Sequence, residues 1–156
     1  MTRVRPGVFE SDDLDEDQSR ENAVSDFFEW DAAKYSLEIP AMDEEHLQII
    51  AGMNRLHVLY ESKATSAQLA KAMAELLRIT EKPFADEEAY MARLGFPDAR
   101  KHAFIHKQLI ERLKQFGQEF HSTGRLTDDL FVFLKMWLKS HICGIDTKYA
   151  RFGRVA

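Results

Sequence analysis

Apolar residues recur at helical spacing in four successive segments, and this pattern limits the folds available to the chain more than any other feature. The segments begin near Asp43, Ser66, Asp98 and Thr127, and short connections separate them. A spacing of three or four residues places the apolar side chains on one face of each helix. Helices joined by short connections pack antiparallel. The sequence therefore predicts an all-α, up-down-up-down four-helix bundle, with Asp43 as the N-cap of its first helix.

Acidic residues are concentrated at the start of the chain. Residues 1–30 contain nine acidic and three basic residues, whereas the remainder of the 156 residues is nearly balanced in charge. A segment so rich in acids and poor in apolar residues buries too little surface to offset the entropy of ordering it. We predict a flexible acidic tail over residues 1–24 and one helical domain over residues 25–156.

Composition also restricts the partners and the compartment of the protein. The net charge of −5 disfavours a nucleic-acid partner. No apolar run reaches the roughly 20 residues that span a bilayer, so no membrane partner is expected. A single cysteine, Cys143, indicates a reducing compartment, and we predict a cytoplasmic protein in which this thiol is a small buried apolar group.

Polar side chains of the kinds that bind metals interrupt the apolar face of every helix. These residues are His46, Glu87, His102, His106, His141 and, just beyond the fourth stripe, Asp146. His102 and His106 are four residues apart, so both project from one face of a helix. His141 and Asp146 are five apart, about 140° on an ideal helix, and share a face only if the helix bends near Gly144.

Each of these residues also has a simpler interpretation. A single histidine on an apolar stripe is usually a core residue with a hydrogen-bond partner, and a buried carboxylate is costly unless it is paired. Six such residues on four facing stripes favour a cation that organises them. Nitrogen and carboxylate ligands without thiolates suit iron, manganese or zinc. Two carboxylates suggest a two-metal site in the bundle core.

The chain resembles the bacterial hemerythrins, non-haem di-iron proteins built on a four-helix bundle. The resemblance spans roughly residues 28–149. It rests on an aromatic lead-in, on one motif in each helix and on the loop before the third helix: Phe28, Trp30, Tyr35; Met42 to His46 with Asn54 and Leu56; Pro83 to Glu88 with Met91; Gly95 to Pro97; His102 and His106; His141 to Asp146 with Tyr149. Each motif is weak alone, but their order and spacing together are specific.

The resemblance implies a role for each matched residue. His102, His106 and His141 would bind one iron, and His46 would bind the other. Glu87 and Asp146 would bridge the two irons, together with an oxo or hydroxo group. The implied function is reversible binding of dioxygen for storage, delivery or sensing, with dioxygen as the partner; the sequence identifies no protein partner.

One position departs from the motif. Where the family has a histidine four residues before the bridging glutamate, this chain has Pro83, whose side chain binds no metal. We expect the helix to kink or break there, since proline lacks a backbone donor and clashes with the carbonyl of Ile79. Water, a shifted carboxylate or an inward-turned Glu81 would then complete a weaker, partly occupied iron position beside His46.

Two functions of different classes remain open. A dioxygen binder needs two irons and a dry pocket. An iron-dependent redox enzyme that turns over peroxide, ferrous iron or nitric oxide needs open coordination positions, which the loss of a ligand at Pro83 would provide. A single-iron variant that no longer carries dioxygen is a further alternative. The carrier is the leading expectation, with peroxidase- or oxidase-like turnover as a side activity.

Overall fold

The computed structural model describes residues 26–155, and the regular elements in this range are all helical. They are α1 (Ala32–Tyr35), α2 (Pro40–Glu61), α3 (Ser66–Leu94), α4 (Ala99–Thr123), α5 (Asp128–His141), a π-helical segment (Ile142–Asp146) and α6 (Thr147–Val155). The π-helical segment joins α5 to α6, so these three elements form one continuous fourth helix. The prediction of an all-α four-helix bundle is confirmed. The predicted acidic tail lies outside the described residues.

Local sequence signals determine where α3 and α4 begin and end. The Thr65 hydroxyl caps α3 by accepting from the Gln68 amide at 3.2 Å, and the Thr65 amide donates to the Gln68 side chain at 3.0 Å. This reciprocal capping box satisfies two amides of the first turn. Gly95 and Gly124 follow α3 and α4 with φ values of 67° and 70°. Glycine adopts this left-handed conformation without a steric penalty, which ends each helix.

The prediction that Asp43 caps the first long helix is wrong. That helix begins three residues earlier, at Pro40, where a missing amide hydrogen costs nothing. Asp43 instead accepts from the Ser36 hydroxyl at 2.6 Å and from the Leu37 amide at 2.8 Å. Its carboxylate therefore fastens the loop that precedes α2.

Pro83 lies buried within α3, and the helix continues through it without a break. The expected break is not found, although the proline still cannot donate to the carbonyl of Ile79. Phe84 and Glu87 on the same helix are both buried in the bundle. Packing on both sides of the proline thus holds together a helix that its backbone chemistry weakens.

The bundle core is continuous from the N-terminal aromatic residues to α6. Phe28 anchors the lead-in by exchanging hydrogen bonds with the Asn54 side chain at 2.8 and 3.0 Å. The α2 and α3 helices approach closely at Gly52, where a β-carbon would overlap the Ile79 side chain. The close approach brings His46 on α2 towards Glu87 on α3.

None of the helices within residues 26–155 combines the length and the hydrophobicity needed to cross a bilayer.

Candidate metal centre

All six predicted site residues converge in the interior of the bundle. Their side chains come from every long helix and are at most 3% exposed: His46, Glu87, His102, His106, His141 and Asp146. One ligand atom from each of the last five lies within 4.8 Å of the others. The structure thus brings together residues that are as many as 100 positions apart in the sequence.

The two oxygens of Glu87 face different histidines. Oε2 lies 3.1 Å from His106 Nε2 and 3.5 Å from His102 Nε2. Oε1 lies 3.1 Å from His46 Nε2. A single carboxylate therefore lies between His46 on one side and the two histidines of α4 on the other.

Asp146 repeats this arrangement from the opposite helix. Its Oδ1 lies 3.0 Å from His141 Nε2 and 3.1 Å from His102 Nε2, whereas its Oδ2 lies 3.1 Å from His46 Nε2. The centre thus has two sides, which Glu87 and Asp146 span. We call them the three-histidine side (His102, His106 and His141) and the His46 side.

The donor atoms suit a cation better than they suit one another. Within residues 26–155, Glu87 Oε2, His102 Nε2 and both oxygens of Asp146 are buried without a hydrogen-bond partner, despite their short separations. His106 Nε2 and His141 Nε2 lie 3.1 Å apart. Ring nitrogens so close repel unless a proton or a metal ion lies between them. Nitrogen and oxygen donors of this kind fit iron, manganese or zinc.

The π-helical segment explains how His141 and Asp146 share one face. The Thr147 amide donates to the carbonyl of Ile142, five residues earlier. Such a segment widens the helix locally, so residues five apart align more nearly than on an α-helix. The bend expected near Gly144 is therefore an expanded turn within a continuous helix.

The two buried carboxylates make the centre strongly attractive to positive charge. Burial alone lowers the pKa of His46, but the adjacent carboxylates of Asp146 and Glu87 raise it to about 10. Burial likewise lowers the pKa of His102, but the carboxylates of Asp146 and Glu87 raise it to about 9. Burial and the charge of Asp146 raise the pKa of Glu87, but its histidine partners lower it to about 2. Histidine partners likewise hold the pKa of Asp146 well below its ordinary value, despite its burial.

Two side chains that the sequence analysis did not assign to the centre contact its residues. The Tyr149 hydroxyl donates to Glu87 Oε1 at 3.1 Å, and Glu88 Oε1 lies 3.0 Å from His106 Nδ1. Tyr149 was identified as part of a motif, and its position three residues after Asp146 placed it on the same face. Glu88 does not share the face of Glu87 on α3, and its contact with His106 depends on where α4 lies beside α3.

Other carboxylates near Pro83 in the described chain contact lysine side chains. Glu81 is exposed and lies 3.5 Å from Lys114, so the inward turn considered for it is not found. Asp86 lies 2.6 Å from the Lys82 ammonium. Glu45 lies 3.3 Å from the same ammonium, and its Oε2 is buried without a hydrogen-bond partner. Burial and the neighbouring Asp86 raise the pKa of Glu45 to about 7.

The remaining histidines and the cysteine lie away from the centre. His57 stacks on Phe27 with ring centroids 4.5 Å apart. His121 is exposed at the far end of α4. The prediction that Cys143 is buried is wrong, because the thiol is exposed and faces the Lys34 carbonyl at 3.7 Å. Cys143 lies in the π-helical segment, whose altered turn changes the face that each residue occupies.

Comparison with known proteins agrees with this geometry. A family model described as the hemerythrin HHE cation binding domain matches residues 37–152. The bacteriohemerythrin of Stenotrophomonas maltophilia is 31% identical over 115 residues, which cover 74% of each chain. The bacteriohemerythrin of Methylococcus capsulatus is 26% identical over 123 residues, 77% of this chain and 92% of the relative. A crystal structure of wild-type hemerythrin superposes with a TM-score of 0.74 at 24% identity, covering 80% of this chain and 95% of that one.

Proposed function

Because the chain belongs to the hemerythrin family, we propose that it is a non-haem iron protein that binds dioxygen reversibly through a pair of irons. One observation carries the proposal: six buried metal-binding side chains converge from all four bundle helices. The two sides of the centre, with Glu87 and Asp146 between them, provide ligands for two ions. Storage, delivery and sensing are all compatible with such a site.

The residues around such a centre would have different roles. A bound pair of irons supplies the electrons and the open coordination position that reversible dioxygen binding needs. His102, His106 and His141 would hold one iron, His46 would hold the other, and the two carboxylates would join them. Tyr149 orients Glu87 through its hydrogen bond at 3.1 Å. Ile49 and Ile50, which follow His46 on α2 and are at most 4% exposed, help to keep the His46 side dry.

The two metal positions are proposed to differ in affinity. Among the described residues, the His46 side contributes one imidazole nitrogen, whereas the opposite side contributes three. Pro83 occupies the place where the family motif has a histidine, and the described residues place no second histidine beside His46. We therefore expect the ion at His46 to bind more weakly and to be partly occupied.

The test is anaerobic loading with ferrous iron, removal of loosely bound metal and exposure to air. We expect up to about two irons per chain and a visible charge-transfer band that fades when oxygen is removed. Stoichiometric loading without any reversible spectral change would contradict the proposal. The variant His57→Ala is the matched control, since it removes a histidine that lies outside the centre.

A second candidate function follows from Pro83 itself. Fewer protein ligands on the His46 side leave more positions for water, peroxide or other small molecules, which favours redox turnover at the metal. Sustained consumption of hydrogen peroxide or nitric oxide by the iron-loaded protein would support this enzyme. A single change of colour that reverses without turnover would support the carrier.

Cytoplasmic location stays a prediction from the single cysteine.

A further inference from the structure

Glu88 contacts the outer edge of one ligand histidine. The His106 ring is buried, with Nε2 directed to Glu87 and His141 and Nδ1 lying 3.0 Å from Glu88 Oε1. Phe84 stacks flat on this ring, with centroids 3.8 Å apart and an interplanar angle of 2°. Stacking fixes the plane of the imidazole, and the carboxylate fixes its rotation within that plane.

The chemistry of this contact determines which nitrogen carries the proton. An ionised carboxylate accepts hydrogen bonds and donates none. His106 must therefore be protonated at Nδ1 when it bonds to Glu88, which leaves Nε2, 3.1 Å from Glu87 Oε2, as the nitrogen available to a metal. This tautomer is the one that binds a metal through Nε2.

We propose that Glu88 is a positioning residue that selects this tautomer and strengthens His106 as a donor on the three-histidine side. The inference rests on the proposed function for the presence of a metal. A carboxylate on the outer nitrogen raises the basicity of a ligand imidazole, and loss of such a partner typically weakens metal binding about 10- to 100-fold. Glu88 thereby makes the three-histidine side tighter.

The His46 side lacks the corresponding partner. His46 Nδ1 is buried and has no hydrogen-bond partner within residues 26–155. The two sides therefore differ in the support behind their ligands as well as in the number of ligands.

Glu88 also connects His106 with the surface. Its side chain is 41% exposed, whereas that of His106 is 2% exposed. Both residues line a crevice of about 410 Å³ between α3 and α4, together with Phe84, Lys107 and Glu111. Substitution of Glu88 therefore opens no cavity in the core, so its effect on the centre can be measured without a large loss of packing.

The first experiment titrates metal-free protein with cobalt(II) and follows its visible absorption. For the first equivalent of cobalt, we expect Glu88→Gln and Glu88→Ala to weaken binding about 10- to 100-fold, with the larger loss in the alanine variant. The glutamine side chain still accepts the hydrogen bond but lacks the charge. Glu111→Gln is the matched control, because it removes the same charge from the same crevice and should change affinity less than about twofold.

The second measurement reads the tautomer directly by nitrogen-15 NMR of the metal-free protein at mildly alkaline pH. We expect His106 to hold a proton on Nδ1 in the wild type and in Glu88→Gln, and to hold it mainly on Nε2, which faces Glu87, in Glu88→Ala. If Glu88→Ala lowers thermal stability but changes neither the tautomer nor the cobalt affinity, Glu88 is an interhelical contact and the proposal is wrong.

The two proposals fail separately, because cobalt binding does not involve oxygen. A wild-type protein that binds cobalt with the expected dependence on Glu88, yet gives no oxygen response with iron, would overturn the function and leave the positioning role intact. A wild-type protein that binds no cobalt would overturn both.

Discussion

The three-histidine side and the His46 side share Glu87 and Asp146 but differ in almost everything else. On the first, three imidazoles face the carboxylates, and one of them is supported by Glu88 at 3.0 Å. On the second, His46 contacts both carboxylates at 3.1 Å, its outer nitrogen is unsupported among the described residues, and Pro83 lies four residues before Glu87 on α3. Two carboxylates shared between the sides therefore do not make the sides equivalent.

The largest effect is expected from removing a ligand on one side and then on the other. We predict that His46→Ala keeps about one tightly bound iron per chain, whereas His106→Ala loses the tight position. The reason is that three nitrogens hold the first ion and one holds the second. Metal analysis after dialysis distinguishes them, with His57→Ala as control. Equal losses in the two variants would show that the sides are equivalent.

Metal removal should lower stability mainly through the three-histidine side. A ligand present at 1,000 times its dissociation constant stabilises the folded state by about 4 kcal/mol. For a chain of this size, that corresponds to a rise of roughly 10 °C in Tm. We predict that the first equivalent of zinc gives most of the rise and the second gives little, as measured by calorimetry. Two equal steps would contradict the difference in affinity.

Pro83→His should reduce the difference between the two sides. A nitrogen donor at this position would tighten the second ion, and restoring an amide donor in α3 would stabilise the helix by up to about 3 kcal/mol. Pro83→Ala is the matched control, since it restores the amide but adds no ligand. We predict that both variants raise Tm and that the histidine variant alone tightens the second iron. Unchanged binding in Pro83→His would mean that residue 83 does not face the metal.

Gly52→Ala should disturb the His46 side more than the three-histidine side. The new β-carbon would overlap the terminal methyl of Ile79, so that either this side chain changes its conformation or α2, which carries His46, moves away from α3. Overpacking of this kind typically costs about 1–3 kcal/mol. We predict a lower denaturation midpoint, weaker binding of the second ion and nearly normal binding of the first. Gly117→Ala is the control, because a β-carbon there meets nothing closer than the Met73 methyl at 4.0 Å.

Glu45→Gln should give the smallest effect, confined to part of the pH range. Burial raises the pKa of Glu45 to about 7, so the folded state favours its neutral form. Its contribution to stability is complete below the pKa of the unfolded chain, near 4.5, and is lost as pH rises through about 7. We predict that metal-free Glu45→Gln is more stable than the wild type above pH 7, as measured by chemical denaturation, with no such gain at about pH 4. The same gain at both pH values would exclude ionisation as the cause.

The sequence predicted the bundle and the convergence of six side chains because these depend on local periodicity. His102 and His106 share a face in any α-helix, and short loops such as 95–98 set the direction of neighbouring helices. Features that depend on packing were not predictable. Asp43 bonds to a loop through Ser36 and Leu37, and Glu88 meets His106 only because α4 lies beside it.

Two expectations fail for different physical reasons. The break expected at Pro83 follows from backbone chemistry, but burial of the surrounding turns outweighs the missing hydrogen bond. The burial expected of Cys143 follows from the usual behaviour of free cysteines, whereas its thiol in the π-helical segment is exposed. The same segment was partly foreseen, since the ~140° between His141 and Asp146 required some departure from an ideal helix.

The wide turn between His141 and Asp146 also affects how the fourth helix tolerates changes in length. The hydrogen bond between the Ile142 carbonyl and the Thr147 amide closes a turn that contains one residue more than an α-helical turn. The same faces of α5 and α6 still point to the core. Deleting Gly144 would leave the two ligands four residues apart, a spacing that an ordinary α-helix also places on one face. We therefore expect the fourth helix to place His141 and Asp146 on one face at a separation of either five residues, as here, or four residues after the deletion.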